Sequence, residues 1–447
     1  MKRIIYIGVL SLTVMTALQA QDIYSLKRCI ETGLENNYSI RIVRNEQRIS
    51  DNNVTLGNVG YLPTVDLTGG LSGTINNTTE NRTDGTTVKS NGIHSETANA
   101  GLNVNWTLFD GFGIQADYSK LKELKIVGEL NTRLTIEDFI ATIASEYYHL
   151  LRQKIRLQNL RSALKLSRER LRIVEERYFI GSMSRLDLQQ AKVDFNADSS
   201  AVLNQLEEVH RSRIYLNQLM AINNIEDIVV QKDSVISPNP FLDEVNLWKS
   251  TMETNVTLLI AQRNLVISEL DLKKAQSRNY PYLRLNAGYG YTGNWYETGT
   301  LDHQRRLGLN YGLTLGFNLF DGFNRKREQK NARIQIENRD LRRQELELTL
   351  RADMSNQWMA YQNNLNLWAL EKENVVAAQE NYRIAMERSR LGDLSGIQLR
   401  EAQNSLLNAE ERQSIAEYAT KLCEISLLQL SGQITGYLQP EPDKASQ

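Results

Sequence analysis

Proline is scarce in this chain, with six among 447 residues, and none falls between Phe112 and Ile180. Nothing in the covalent backbone therefore forbids a very long helix there. Cysteine is scarcer: Cys29 and Cys423, near opposite ends, are too few for a disulfide framework. They could pair in an oxidising compartment, but the reading taken is two buried free thiols. The four histidines, His94, His149, His210 and His303, are scattered at no metal-ligand spacing. Neither sign of charge is in excess, since 52 Lys and Arg face 53 Asp and Glu for a net charge of −1. That leaves no basic field for nucleic acid. Beyond the first twenty residues no apolar run reaches the length of a spanning helix, so any membrane passage must be β.

Those first twenty residues read as a cleaved secretion signal. Lys2 and Arg3 precede an apolar run from Ile4 to Leu18, and Leu18-Gln19-Ala20 offers a cleavage site. Removing Lys2 and Arg3 takes the net charge to −3. No cysteine follows the cut at once, so an N-terminal lipid anchor is not expected.

What the chain does contain is a repeat. The pentapeptide LFDGF stands at Leu108–Phe112 and again at Leu319–Phe323, 211 positions later. Gly181 and Gly392 obey the same offset, as do Ala191 and Ala402. Pro63 and Pro281 are related by 218, the difference being a longer loop in the first copy. The sequence is thus a tandem duplication of a unit of roughly 200 residues. It divides into a signal peptide 1–20, a first repeat 21–222, a linker 223–246, a second repeat 247–432 and a tail 433–447.

Two periods alternate inside each repeat. From Phe112 to Ile180, Ile143, Leu150, Leu157, Leu164, Leu171 and Tyr178 recur every seventh residue, a heptad seam that predicts a helix of almost 70 residues and ~100 Å. Met354, Tyr361, Trp368, Val375 and Tyr382 keep the register in the second copy. Before each LFDGF the period is two: Leu102, Val104, Trp106 and Leu108 alternate with Asn103, Asn105 and Thr107, and Leu307 to Leu319 alternate likewise. These are strands with one apolar and one wet face. Partner strands start at Pro63 and Pro281, giving hairpins at about 61–109 and 281–320 with polar loops expected at Asn76–Ser95 and Gly293–Gln304. Asn99, Asn103, Asn105, Asn310, Thr314 and Asn318 fall on the wet face, and Leu102, Val104, Leu309, Leu313 and Phe317 on the other. The apolar face requires either a soluble sandwich partner or lipid. Four strands are too few for a barrel, which needs ~8, so a barrel would be shared among several chains.

LFDGF then marks the passage from strand to helix. Leu and Phe end the strand, Asp110 and Asp321 cap the helix, and Gly111 and Gly322 relax the turn. Catalytic patterns do not survive scrutiny. GYGYTG, at Gly288, Gly290 and Gly293, is followed by a loop and a strand rather than the helix a dinucleotide site needs. SALK, at Ser162–Lys165, sits inside a coiled-coil helix. No enzyme, cofactor or metal site is expected.

The ordered set of signal, hairpin, FDG junction, long helix, Gly tip and returning helix resembles the TolC-like outer-membrane efflux channels over essentially the whole mature chain. The resemblance implies an α+β membrane protein. Four strands per chain would build a trimeric 12-stranded outer-membrane β-barrel, continued by a periplasmic α-helical coiled-coil barrel. It also implies a passive exit duct of tripartite efflux or type I secretion, set in outer-membrane lipid and docked to a periplasmic adaptor and an inner-membrane pump of RND or ABC type. The competing class is a secreted coiled-coil spacer or adhesin with a soluble β cap. Gly181, Ser182, Gly392 and Asp393 are the expected adaptor-docking tips. By the family pattern the gate lies six and nine positions after each tip glycine, at Asp187 and Gln190 and at Gln398 and Glu401. Ser389 and Leu394 replace the family's Tyr and Arg there, leaving Arg185, Arg388 or Arg390 as other partners for Asp187.

Overall fold

The computed structural model describes residues 23–227, 230–297, 302–391 and 393–439. The signal segment 1–20 and Gly392 lie outside the described residues. The chain forms two compact units. One comprises residues up to Arg41, Ile136–Glu253 and Ala352 onward; the other comprises Ile42–Thr135 and Thr254–Arg351.

The first unit is helical. It holds β1 (Ile23–Tyr24) paired in parallel with β4 (Val230–Gln231), α1 (Leu26–Asn36), α4 (Arg185–Met220), α5 (Glu244–Thr254) and α8 (Gly396–Leu430). It also holds a 3-10 turn (Ile434–Leu438), most of α3 (Gly113–Phe179) and the second half of α7 (Asn324–Leu391). Heptad positions Ile143 and Leu150 sit with Cys29, Ile30, Leu216 and Ile425 in its main core, and Met354, Tyr361, Cys423 and Leu427 form a second cluster. Both thiols are buried and free. Burial pushes the Cys29 thiol up to about 12, so it is inert.

The linker is strapped to this core by polar contacts. The side chain of Lys421 is 6% exposed and that of Glu424 is 5% exposed, and they pair at 2.8 Å. Lys421 also donates to the Ser237 carbonyl at 3.3 Å and lies over the Tyr148 and Tyr437 rings. Glu424 accepts from the Asn239 backbone N–H at 2.8 Å and from the Tyr437 hydroxyl at 3.3 Å. Every charge here is compensated, which is the condition under which a buried ion pair is tolerated.

The second unit carries the sheet, in the order β2 (Thr64–Asn81), β3 (Thr87–Phe109), β5 (Tyr282–Tyr296), β6 (His303–Gly316), antiparallel throughout. The two hairpins join edge to edge, because β3 pairs with β5 from Ser95↔Tyr296 to Phe109↔Leu283. Rows such as Leu67, Leu102, Tyr289 and Leu309 share one face, and rows such as Asp66, Asn103, Gly288 and Asn310 share the other. The first hairpin departs from expectation. Asn76–Ser95 is mostly paired strand, and only Arg82–Thr86 turns, with Asp84 accepting from the Thr86 N–H at 2.9 Å and Gly85 at φ 87°. A register shift between Asn76 and Thr78 and a left-handed Gly92 break the alternation of side chains, which hid these strands from a period-two search. β6 also stops at Gly316, opposite Tyr282, the first residue of β5. Phe317, Asn318 and Leu319 therefore have no strand to pair with, and Phe317 and Asn318 are not positions on the sheet faces.

Four helical segments accompany the sheet. α2 (Tyr38–Asn53) meets α3 through Asp51 and Lys125 at 3.4 Å. α6 (Val256–Ser277) meets α3 through Asp271–Lys120, Lys274–Asp117 and Arg263–Glu123, and the residue just after it, Arg278, pairs with Glu328 of α7. Such exposed pairs contribute little individually, but they fix the neighbours as α2, α3, α6, α7. Away from those contacts, α2 exposes Ile42 and Ile49, and α7 exposes Ile334, Leu341 and Leu348, each set seven residues apart.

Lys421→Met leaves Glu424 buried without its cation and should destabilise the helical unit by about 3 kcal/mol or more. Circular dichroism melting in detergent would read this as a lowered midpoint, and adding Glu424→Leu should restore most of the loss.

Candidate functional site

The two junctions fold into the same turn. Asp110 Oδ2 accepts from the Ile114 N–H at 2.9 Å, and Asp321 Oδ2 accepts from the Arg325 N–H at 2.9 Å. Gly111 and Gly322 have φ of 76° and 67°, and the next residue is also left-handed: Phe112 at 74° and Phe323 at 64°. A bulky residue there costs about 1 kcal/mol or more. Edge-to-face ring pairs offset it, Phe109 with Phe112 at 5.2 Å and Phe320 with Phe323 at 5.3 Å. This explains the phenylalanines that flank Asp-Gly, whose joint role the sequence pattern had not revealed.

The first helical tip closes through Gly181 at φ 79°, with Ser182 donating from its N–H (2.9 Å) and its hydroxyl (3.0 Å) to the Arg177 carbonyl. At the second, Arg388 holds Asp393 at 3.0 Å, so Arg388 is engaged locally rather than with Asp187. Both tips carry exposed apolar residues, with Phe179 86% and Leu391 84% exposed. The small residues expected to meet a partner are thus flanked by large apolar ones, which no period in the sequence marks.

The residues matched to the gate divide between two roles. Asp187 Oδ2 accepts from the Ser184 N–H (3.2 Å) and hydroxyl (2.7 Å), and Gln398 does the same for Ser395 (3.2 and 3.1 Å). These are reciprocal capping boxes at the starts of α4 and α8. Asp187, Gln190 and Glu401 also line a groove of about 670 Å³ with an apolar wall that includes Ile173, Tyr382 and Met386. Gln190 donates to Asp194 at 2.9 Å. Glu401 has no hydrogen bond or ion pair to another described residue.

Beside this groove lies an ion cluster the sequence did not reveal. Arg400 of α8 grips Asp198 of α4 with two hydrogen bonds of 2.7 Å, Ser167 of α3 donates to the same carboxylate, and Arg170 pairs with Asp194. Burial alone would raise Asp198, but the Arg400 and Ser167 hydrogen bonds outweigh it and hold the carboxyl below its usual range. The available signal was aspartate in a helix interior, a poor helix former that asks for a partner.

The sheet with one apolar face, the repeated strand-to-helix turns and the paired helical hairpins define an outer-membrane channel subunit. The profile of the outer membrane efflux protein family matches residues 29–221 and 249–433, and the chain belongs to that family. Its helical part accordingly lies in the periplasm. No curated protein sequence matches significantly. Among solved structures, it is similar to the CmeC outer membrane channel of Campylobacter jejuni, at 16% identity and TM-score 0.75, over 91% of this chain and 85% of that one. It is also similar to the open state of the MtrE outer membrane channel of Neisseria gonorrhoeae, at 16% identity and TM-score 0.71, over 93% and 91%. A third similar structure is the outer-membrane channel OprN, at 18% and 0.74, over 93% and 91%.

The two junction glycines should respond differently to Ala. A Cβ at Gly111 would overlap the Ser277 carbonyl oxygen and crowd Tyr280, whereas at Gly322 the nearest atom is Asn324 Nδ2 at 3.8 Å. Gly111→Ala should lower the yield of folded protein in the outer membrane several-fold and Gly322→Ala only slightly, as read by heat-modifiable mobility on gels.

Proposed function

We propose that three copies of this chain assemble into one passive exit duct, serving tripartite efflux or type I secretion with a periplasmic adaptor and an inner-membrane pump of RND or ABC type. The observation that carries the reading is the incompleteness of the sheet unit. β2 and β6 end the sheet with unpaired backbone edges, and in lipid such groups must be satisfied by closure. The helices repeat the pattern, since α2 and α7 each turn an aliphatic heptad stripe away from their neighbours within the chain. Joining β6 to the next copy's β2, and α7 to its α2, gives head-to-tail contacts that close as a ring. Three copies bring the strands to about twelve, enough for an open lumen.

The apolar rows then face lipid and the rows with Asn103 and Asn310 face the lumen. In this reading the tips at Gly181, Ser182, Gly392 and Asp393 meet the adaptor, with the exposed Phe179 and Leu391 beside them. Asp187, Gln190, Gln398 and Glu401 constrict the periplasmic end, Glu401 forming a ring of three carboxylates that favours cations.

Replacing Ile334 and Leu341 together by Glu puts two charges in the subunit contact. It should convert trimers to monomers on native gels and abolish export, while Gln335→Glu, an exposed position about 100° round the helix from Ile334, should leave trimers intact. Trimers unchanged by the double substitution would exclude this contact. For the gate, Glu401→Gln should weaken cation preference and divalent block in planar bilayers, and Asp187→Ala should raise resting conductance; parental values for both would place the gate elsewhere.

A further inference from the structure

The wet face of the sheet is made almost wholly of amides, hydroxyls and glycine. From the row of Thr107 to the row of Thr97, its charged residues among those described are three: Asp66, Arg284 and Arg306. Their depths differ. Arg284 lies opposite Thr107 and Thr314, near the ends that lead into α3 and α7. Arg306 lies opposite Thr292, near the hairpin turns. Asp66 lies between them, in the row of Asn103, Gly288 and Asn310. From Arg284 to Thr292 is eight residues along β5, about 26 Å at ~3.3 Å per residue.

Neither arginine has an ion-pair partner among the described residues. Arg284 stacks on Tyr282, its neighbour on the same face, at 4.7 Å, which fixes the guanidinium without neutralising it. Both arginines are exposed. Between the two levels the face flattens at Gly101 and Gly290, whose backbones approach so closely that a Cβ on Gly101 would lie 2.9 Å from the Gly290 Cα. The middle of the face thus offers few groups to hold a solute, and its two ends offer guanidinium forks suited to carboxylate, sulfate or phosphate.

We propose that the barrel is an anion-preferring passage, with Arg284 and Arg306 forming an inner and an outer ring that favour negatively charged cargo such as carboxylate or sulfonate amphiphiles. The inference rests on the shared barrel proposed above: three copies place six arginines against three Asp66 carboxylates on the lumen wall. The barrel and the periplasmic constriction act in series, so an acidic ring at the tips can set the resting selectivity while the arginine rings shift it toward anions. In a wide lumen that shift depends on the reach of the charges, ~30 Å at 0.01 M salt and ~3 Å at 1 M.

The test compares full-length channels in planar bilayers under a potassium chloride gradient, and then with sodium benzenesulfonate as an organic anion. At millimolar salt, Arg284→Gln with Arg306→Gln should lower the anion-to-cation permeability ratio by about twofold or more, and the difference should vanish near 1 M. Arg284→Lys with Arg306→Lys should keep the parental ratio. Asp66→Asn, which leaves both arginines in place, should raise it and serves if the Gln variant fails to assemble. Conducting channels whose ratio is the same in parent, Gln and Asn variants would overturn the anion rings while leaving the duct intact. Absence of any conductance from the parent trimer would overturn the duct and the rings together.

Discussion

An unsatisfied backbone edge is the constraint on which this molecule depends. β2 and β6 present unpaired N–H and C=O groups, and one face of the sheet between them is aliphatic and aromatic from Leu283 to Tyr291. Either feature alone could be managed by a soluble fold, with a charged edge strand or a covering helix. Together, in a unit whose described residues hold no second sheet to pack against the apolar face, they call for lipid on one side and leave both edges of the sheet to be paired. The stripes on α2 and α7 answer the same demand in helical form: each is a stave with one neighbour in its own chain and a second apolar face awaiting another.

Much of this was legible because duplication doubles every signal. A single LFDGF is unremarkable, but two at the spacing that also relates Gly181 to Gly392 identify a unit, and alternation of Leu and Asn before each copy separates strand from helix. What stayed hidden was structure that leaves no period. The outer part of the first hairpin has the sequence pattern of a loop because a bulge at Asn76/Thr78 reverses the face on which its side chains appear. The alternation runs past the end of β6, through Phe317 to Leu319, although β5 begins only at Tyr282. A pattern of side chains records which face is buried and says nothing of whether a partner backbone is present.

The candidate site was legible in position and illegible in partners. Counting from the tip glycines put Asp187 and Gln398 at the third residue of the returning helices. The structure gives that position a local use, closing capping boxes on Ser184 and Ser395. A carboxylate already accepting two hydrogen bonds from the N-cap is less free to hold a distant arginine, and Arg388 is likewise taken by Asp393. Long-range pairs such as Arg400 with Asp198 cannot be read from spacing at all, since they join helices from different repeats.

That pair also marks where the two repeats cease to be equivalent. The repeat offset carries Arg400 back to Gln189 and Asp198 forward to Ala409, and it carries Arg170 and Asp194 to Asn381 and Ser405. None of the four partners has a charged twin, so the cluster cannot form a second time. The backbone of a helical hairpin tolerates duplication because its heptads and caps are local. A buried ion cluster is not local: each member requires the others, and losing one leaves an uncompensated charge. The duplicated chain therefore kept its turns in two copies and formed this ion cluster once, beside the groove that Asp187, Gln190 and Glu401 line. The two tips of each chain are accordingly different surfaces. Six tips in a trimer would alternate between two kinds, and a partner that docks there meets a threefold pattern rather than a sixfold one.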